Sequence, residues 1–277
     1  IPDPDIPPHL SGCPEGDSRC ASSYREEFRR RIGPLHAEFM EYLRTCGVQG
    51  MPFPEFVQAS PYLNLLLYPE PLRFKRRYPL DPKKFVYLDG CVRRDAGDFE
   101  MPAFKRNSSG PLIYLSYGTL GGADVDVIKR ILSVLENTRY RVLANVGVYR
   151  DQYDDVPDNA VIGSWFPQVS VLPHVDVFIQ HGGNNSFNES LFFGVPPLIM
   201  PFVWDGHDNA QRVNDTRHGI GMRRYDWTDA ELLANIEILM SDEEIRTNVR
   251  RTSEHMKRND GRQRAARAID EFLRSAA

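Results

Sequence analysis

Residues 165–211 read WFPQVSVLPHVDVFIQHGGNNSFNESLFFGVPPLIMPFVWDGHDNAQ, and the order of elements within this stretch decides the fold. The run VDVFIQ (Val175 to Gln180) has the length and the apolar, β-branched content of a buried strand. It ends at His181-Gly182-Gly183, where two glycines let the backbone turn sharply, and a helix is predicted from Asn184 to Phe193. A second buried strand, PLIMP (Pro197 to Pro201), follows directly, and then a helix near Asn209 to His218. Short apolar strands alternating with helices argue for a parallel, doubly wound sheet.

Outward from this stretch the alternation continues. Upstream lie strands LIYLSY (Leu112 to Tyr117), YRVLANV (Tyr140 to Val146) and AVIGSW (Ala160 to Trp165), with a helix from Asp124 to Asn137 that Asp124 would cap. Downstream come a short strand at Ile220 to Arg223 and three helices, near Asp229–Met240, Asp242–Lys257 and Arg262–Ser275. The nine Lys/Arg from Arg246 to Arg274 read as a solvated helical surface. The first part of the chain has a different texture, rich in proline and aromatics. IPDPDIPPHLSGCPEGD is a loop without apolar periodicity. A helix from about Ser23 to Arg44 carries Phe28, Ile32, Leu35, Phe39 and Leu43 on one stripe, and Pro34 should kink or divide it. YLNLLLY (Tyr62 to Tyr68) and FVYLDGCV (Phe85 to Val92) read as strands, and Arg93 to Gly110 as a linker. The chain thus divides into a partial N-terminal domain with linker, residues 1–107, and a C-terminal domain, residues 108–277.

Composition narrows the function. The 277 residues are 41% hydrophobic, enough for a sizeable core, and a net charge of −4 leaves no electrostatic footprint for nucleic acid or an anionic membrane. No run of 18 apolar residues suggests a membrane span. No signal peptide is visible, but the chain opens on Ile-Pro-Asp-Pro without an initiator methionine, which leaves room for a leader already removed. Cys13, Cys20, Cys46 and Cys91 match no zinc-ligand spacing; they are expected as free thiols of a reduced, cytoplasmic protein, with Cys13/Cys20 the one candidate exception.

Chemistry concentrates after the strand ending at Gln180. The helix opening at Asn184 directs free N–H groups and its positive dipole end back at the His-Gly-Gly turn, which makes an anion site that suits a diphosphate. Gly183 allows close approach, Asn185 and Ser186 add donors, and His181 can donate to a phosphate oxygen. Glu189, one turn beyond Ser186, can accept two hydrogen bonds from a ribose diol, or can close a capping box with Ser186. Trp165 at a strand end can stack on a base, with Gln168 reading its edge; taken alone, a tryptophan more often fills a core. Gly118 and Thr119 close the first strand of this half and suit a nearby ligand. Asp205 can bind sugar hydroxyls; the alternative for its acidic loop is a solvated helix start capped by Asp208 or Asn209. His174 reads as structural. Singly these features are weak, but together, in this order, they describe a site for a nucleotide sugar.

The stretch WFPQVSVLPHVDVFIQHGGNNSFNESLFFGVPPLIMPFVWDGHDNAQRV closely resembles the UDP-glycosyltransferase superfamily, family 1, especially bacterial members that glycosylate small molecules in secondary metabolism. The resemblance implies a GT-B fold, α/β, with two Rossmann-like doubly wound domains, the N-terminal one incomplete in this chain, and a last helix crossing back onto it. It implies inverting, metal-independent transfer of a sugar from a UDP- or dTDP-sugar, the only small-molecule requirement besides a hydrophobic acceptor with a hydroxyl; no further cofactor is implied. By likeness Trp165 stacks on the base, Gln168 lies beside the nucleoside, Glu189 binds ribose, His181, Asn185 and Ser186 hold the diphosphate, and Asp205 contacts the sugar. Two departures stand out. Gly206 occupies the place of the family's usual glutamine. No early strand is followed by the family's histidine loop, so the catalytic base is expected in an N-terminal segment outside this sequence; His9 and His36 are not promoted to that role. The rival readings are a non-catalytic nucleotide-sugar-binding fragment or subunit of a split enzyme and, with the same fold but other chemistry, an epimerase or a lipid-linked sugar transferase.

Overall fold

The structure, a computed structural model, describes residues 3–57, 59–93, 97–106 and 109–276. Helix α1 (Ser18–Thr45) is capped by Asp17, whose carboxylate accepts the Cys20 amide at 2.9 Å. It runs through Pro34 as one helix, so of the two outcomes expected of this proline, a kink or a division, the division does not occur. The carbonyl that Pro34 orphans belongs to Arg30, which is exposed, so water can satisfy it. The predicted stripe is only half-buried, with Leu35 55% exposed. Besides Ala21, the residue the helix buries is His36, set between the rings of Phe53 and Phe56 and bonded through Nε2 to the Glu55 carbonyl. Among the cysteines the candidate exception is the pair that departs from free thiols: Cys13 and Cys20 form a disulfide, while Cys46 and Cys91 are free. A turn through Gly16 at φ +85° and the first turn of α1 bring their Cα atoms to 5.8 Å, within bridging range.

Strands β1 (Asn64–Leu66) and β2 (Phe85–Tyr87) pair in parallel, each shorter than its predicted run. Both are only half-buried, and among the described residues they pair only with each other, so nothing extends the ladder.

The main sheet has six parallel strands in the order β5-β4-β3-β6-β7-β8. They are β3 (Leu112–Ser116), β4 (Arg141–Asn145), β5 (Ala160–Gly163), β6 (Val177–Gln180), β7 (Pro197–Ile199) and β8 (Ile220–Gly221). Helices between and after them are α2 (Gly118–Gly121), α3 (Val125–Glu136), α4 (Gln168–Val171), α5 (Asn184–Phe193), α6 (Asp205–Asp215), α7 (Asp229–Ser241), α8 (Glu243–Arg258) and α9 (Gly261–Ala276). Alternation along β3 splits its side chains between two faces. Ile113 and Leu115 join Ile128, Ile131 and Ile236 on one side, while Leu112 and Tyr114 meet Phe178 and Leu172 on the other. Burial on both faces explains why these strands read as continuous apolar runs. Part of the stretch read as a linker is structural: Phe99, Met101 and Phe104 pack on the second face. Arg94, Asp95, Ala96, Asn107 and Ser108 of that stretch lie outside the described residues. Asp124, the expected side-chain cap of α3, makes no cap bond and pairs instead with Arg224 at 2.6 Å.

Polar joints fasten the first hundred residues to this sheet. Arg212 on α6 is 5% exposed and donates to the carbonyls of Leu72 and Arg73 and to Glu15. Asp208 accepts the amides of Leu10 and Gly12. Asp89, buried after β2, accepts the Glu70 amide and Arg264 of α9. Helix α9 lies on β2, with Phe272 5.7 Å from Tyr62. Gly90 and Gly261 permit this approach: a Cβ on Gly90 would stand 2.3 Å from the Met256 carbonyl oxygen, and one on Gly261 2.2 Å from that of Leu88. Among the described residues no helix is long and apolar enough to cross a membrane.

Candidate functional site

Strand order reverses between β3 and β6: the chain winds from β3 outward to β4 and β5, then returns to the other side of β3 and winds on to β7 and β8. Ligands of doubly wound sheets bind outside the carboxyl ends of the strands at such a reversal. The two loops that emerge there, after Ser116 and after Gln180, touch. The His181 ring lies between glycines: a Cβ on Gly118 would come within 2.9 Å of its Cε1, and one on Gly183 within 2.4 Å of its Nε2. Gly182, at φ +83°, makes the turn, and a Cβ there would strike Ile199. Burial lowers the His181 pKa; Asp205 and the Ser116 backbone oppose that shift, and Arg224 adds to it. His181 is therefore a neutral donor at pH 7, tucked beside the first turn of α5.

At that turn the Asn184 amide donates to Asp205 Oδ2 at 2.8 Å. Helix α6 begins at Asp205, four residues earlier than predicted, and neither Asp208 nor Asn209 caps it. Asp208 is drawn away to Leu10 and Gly12. Asn209 is buried and donates to the Gly182 carbonyl at 2.8 Å, tying α6 to the His-Gly-Gly turn. Gly206 is confined as well, since a Cβ there would lie 2.5 Å from the His181 carbonyl oxygen. Trp204, which precedes α6, sits at φ 52° and ψ −133° with its ring 63% exposed. A non-glycine residue in that region costs on the order of 1–3 kcal/mol.

The nucleoside side of the constellation is equally connected. Gln168 opens α4, and its Nε2 donates to Glu189 Oε2 at 2.5 Å and to Ser186 Oγ at 3.2 Å. Glu189 is therefore not the capping-box partner of Ser186. Its side chain is 8% exposed. Burial pushes its pKa up, and Gln168 and Arg93 pull it down. Arg93 Nε is 3.6 Å from Glu189 Oε1. These residues line a cavity of about 270 Å³ whose walls come from both parts of the chain: Leu67, Asp89 and Arg93 on one side, Gln168, Asn185 and Asn188 on the other. Phe166, next to Trp165, packs on Gly163 and serves the second core, which leaves Trp165 69% exposed. Thr119 is exposed in α2 and Ser186 half-buried in α5.

Sequence reasoning missed several members. Asn188 lines the cavity, donates to the carbonyls of Leu67 and Asn184, and keeps a buried Oδ1 without a protein partner. Arg224, 4% exposed, holds Asp124, the Met200 carbonyl and the Gly121 carbonyl, and lies 4.1 Å from the Tyr117 ring centroid and 4.8 Å from that of Phe202. No local pattern marks an arginine as buried. Asn188 sits on the helix already singled out, one position before Glu189, and could have been read as a second polar group turned to the cleft. His9 is exposed, its Nδ1 3.5 Å from Asp208.

Comparisons with known proteins agree with this geometry. A family model described as UDP-glucoronosyl and UDP-glucosyl transferase matches residues 64–260. An NDP-glycosyltransferase, YjiC, of Bacillus subtilis (strain 168) is 26% identical over 254 residues, which cover 91% of this chain and 64% of the relative. The chain thus spans less than two thirds of that relative's length. Among solved structures, the glycotransferase of kitacinnamycin superposes with a TM-score of 0.76 at 24% identity, covering 91% of this chain and 67% of the other. The glycosyltransferase VinC, solved in complex with dTDP, superposes with a TM-score of 0.63 at 18% identity, covering 94% and 65%. The α/β architecture is that of the GT-B glycosyltransferases.

Proposed function

The chain belongs to the family of UDP-glucoronosyl and UDP-glucosyl transferases, and from that premise we propose that the carboxyl edge of its main sheet holds a UDP- or dTDP-sugar. The observation that carries the reading is the order of groups along this edge. Trp165 follows β5, Gly118 and Thr119 follow β3, His181 and the α5 N-terminus follow β6, and Asp205 follows β7. Base, diphosphate and sugar follow one another in a nucleotide sugar in the same sense. Trp165 stacks on the base, and Gln168 lies beside the nucleoside. Glu189 accepts from the ribose hydroxyls. His181, Asn185, Ser186 and the approach at Gly183 hold the diphosphate, and Asp205 meets the sugar.

In this reading the protein transfers the sugar, with inversion, to a hydroxyl of a hydrophobic small molecule that enters from the first hundred residues. Inversion places the acceptor oxygen behind the anomeric carbon, and as the new C–O bond forms the acceptor's proton passes to a general base. As the anomeric C–O bond breaks, charge grows on the departing diphosphate. The fixed amides of α5 and the neutral His181 donor meet that charge without reorganising, in place of a metal ion.

Calorimetry tests the donor site. UDP or dTDP should release heat on binding. Trp165→Ala should weaken binding, by about five- to a hundredfold for one stacked base. Glu189→Ala should weaken it by about ten- to a hundredfold, the range for a hydrogen bond to a charged group. Folded protein that binds neither nucleotide, or a Trp165→Ala variant indistinguishable from the parent, would sink the proposal.

A further inference from the structure

We infer that Trp204 is the stacking face for the sugar ring of the donor, and that it does part of the sugar recognition that an amide side chain at position 206 would otherwise do. The inference rests on the nucleotide-sugar reading of the site and adds a specificity-determining residue to it.

Three observations converge. Trp204 holds a backbone conformation, φ 52° and ψ −133°, that glycine adopts freely and an L side chain does not. Its indole is nevertheless 63% exposed, so the conformation does not serve to bury the ring. Strain kept at a position where glycine would remove it, for a side chain that fills no core, points to work done by that side chain. Second, Trp204 immediately precedes Asp205, whose carboxylate is bonded to the first amide of α5, so the backbone of Trp204 stands one residue from the end of the proposed diphosphate site where the sugar would leave it. Third, position 206 is closed to any side chain, because a Cβ would stand 2.5 Å from the His181 carbonyl oxygen. Sugar recognition on this side therefore falls to the carboxylate of Asp205 and a flat apolar surface. A hexose offers both complements: hydroxyls at its rim and a face of C–H bonds.

The surroundings fit a wall for that face. Phe202, 36% exposed, lies against the guanidinium of buried Arg224, which also lies against the Tyr117 ring. Tyr225 is 60% exposed next to it in sequence. Exposed aromatic residues thus follow the carboxyl ends of β7 and β8, and Trp204 is the one next to Asp205 in sequence.

The test compares UDP with UDP-glucose by calorimetry on the full chain, in the parent protein and in Trp204→Gly and Trp204→Phe. Trp204→Gly should reduce UDP-glucose affinity about three- to tenfold, the worth of one aromatic contact, and leave UDP within about twofold. Trp204→Phe should recover most of the loss. Thermal melting guards against misfolding, since relief of strain should leave the Tm of Trp204→Gly equal or higher. An unchanged ratio of the two affinities in Trp204→Gly would overturn the inference, as would an equal loss of both ligands, which marks a merely structural role. Where the parent binds dTDP and not UDP, the same comparison is made with dTDP and dTDP-glucose; a parent protein that binds neither UDP nor dTDP overturns the site reading itself, and that result is distinct from an unchanged ratio.

Discussion

The two parts of this chain hold together in different ways. Beyond residue 109 the strands are mostly apolar, both sheet faces are covered, and helices follow strands at short intervals. Before residue 107 the apolar surface is incompletely covered: Leu35, Tyr42, Val57 and Tyr62 are exposed, and the two strands carry three residues each. What organises the first part is a set of polar joints to the second, through Arg212, Asp208 and Asp89. A part that buries little of its own surface depends on its neighbour for its shape, and its stability should fail first when a joint is cut.

Arg212→Ala should break that dependence most severely. Its guanidinium is buried, satisfies two carbonyls and pairs with Glu15. Removing one partner from such a network costs about 3–5 kcal/mol. Urea unfolding should then split. Far-UV circular dichroism, which includes α1, should fall before the fluorescence of the tryptophans, all of which lie in the second part. A single transition at the parental midpoint would show that the joint carries no load.

Acid should act on the second part. His218 is buried between α6 and α8: its Nδ1 donates to the Thr216 carbonyl and its Nε2 accepts from the Thr252 hydroxyl. Burial lowers its pKa from 6.5 to about 4. The unfolded chain therefore takes the proton first, and stability is lost as pH falls from about 6.5 to about 4, with no further loss from this group below that. The loss amounts to roughly 3 kcal/mol. Burial of His181 works in the same sense. Urea midpoints at pH 7 and pH 4.5 should therefore differ less in His218→Gln than in the parent, and an equal difference would remove His218 from the account.

The same contrast explains what was legible in the sequence. Strand runs such as Val175–Gln180 and turns such as His181–Gly183 are set by neighbours along the chain, so periodicity and glycines revealed them. Glu189 and Gln168 were visible as residue types in a suggestive order, although their mutual hydrogen bond was not. Contacts across long separations leave no local trace. Arg212 reaching Leu72, Asp208 reaching Leu10 and Asp124 turning to Arg224 are instances, and the last two moved carboxylates away from the caps assigned to them. The unbroken passage of α1 through Pro34 was hidden for a related reason, because the cost of the proline depends on whether water reaches the Arg30 carbonyl.

Gly90→Ala sharpens the comparison at lower cost. The new Cβ would press on the carbonyl oxygens of Met256 and Asn259, which are backbone and cannot swing aside. Overpacking of this kind costs about 1–3 kcal/mol. The strain falls on the joint of α8, α9 and the segment after β2, so limited proteolysis should cut faster between residues 91 and 110 while tryptophan fluorescence stays parental. Equal cleavage rates would mean that the joint yields without opening.

The smallest effect is expected where the first part reaches into the site of the second. Arg93 is 62% exposed and lies 3.6 Å from Glu189, so solvent screens the pair and its loss should change stability by less than about 1 kcal/mol. Binding should respond with a definite sign. In the free protein Glu189 is engaged on one oxygen by Gln168 and on the other by Arg93. A ribose diol must compete with both. Arg93→Gln removes the charged competitor and keeps a neutral donor, so uridine, which carries no phosphate, should bind equally or up to about fivefold tighter. UDP should gain less or lose slightly, because the same guanidinium lines the cavity and attracts an anion from there. Titrating uridine and UDP into the variant separates these contributions. A variant that loses affinity for uridine would show that Arg93 holds the ribose instead of guarding its carboxylate, and that the first part of the chain supplies a donor contact.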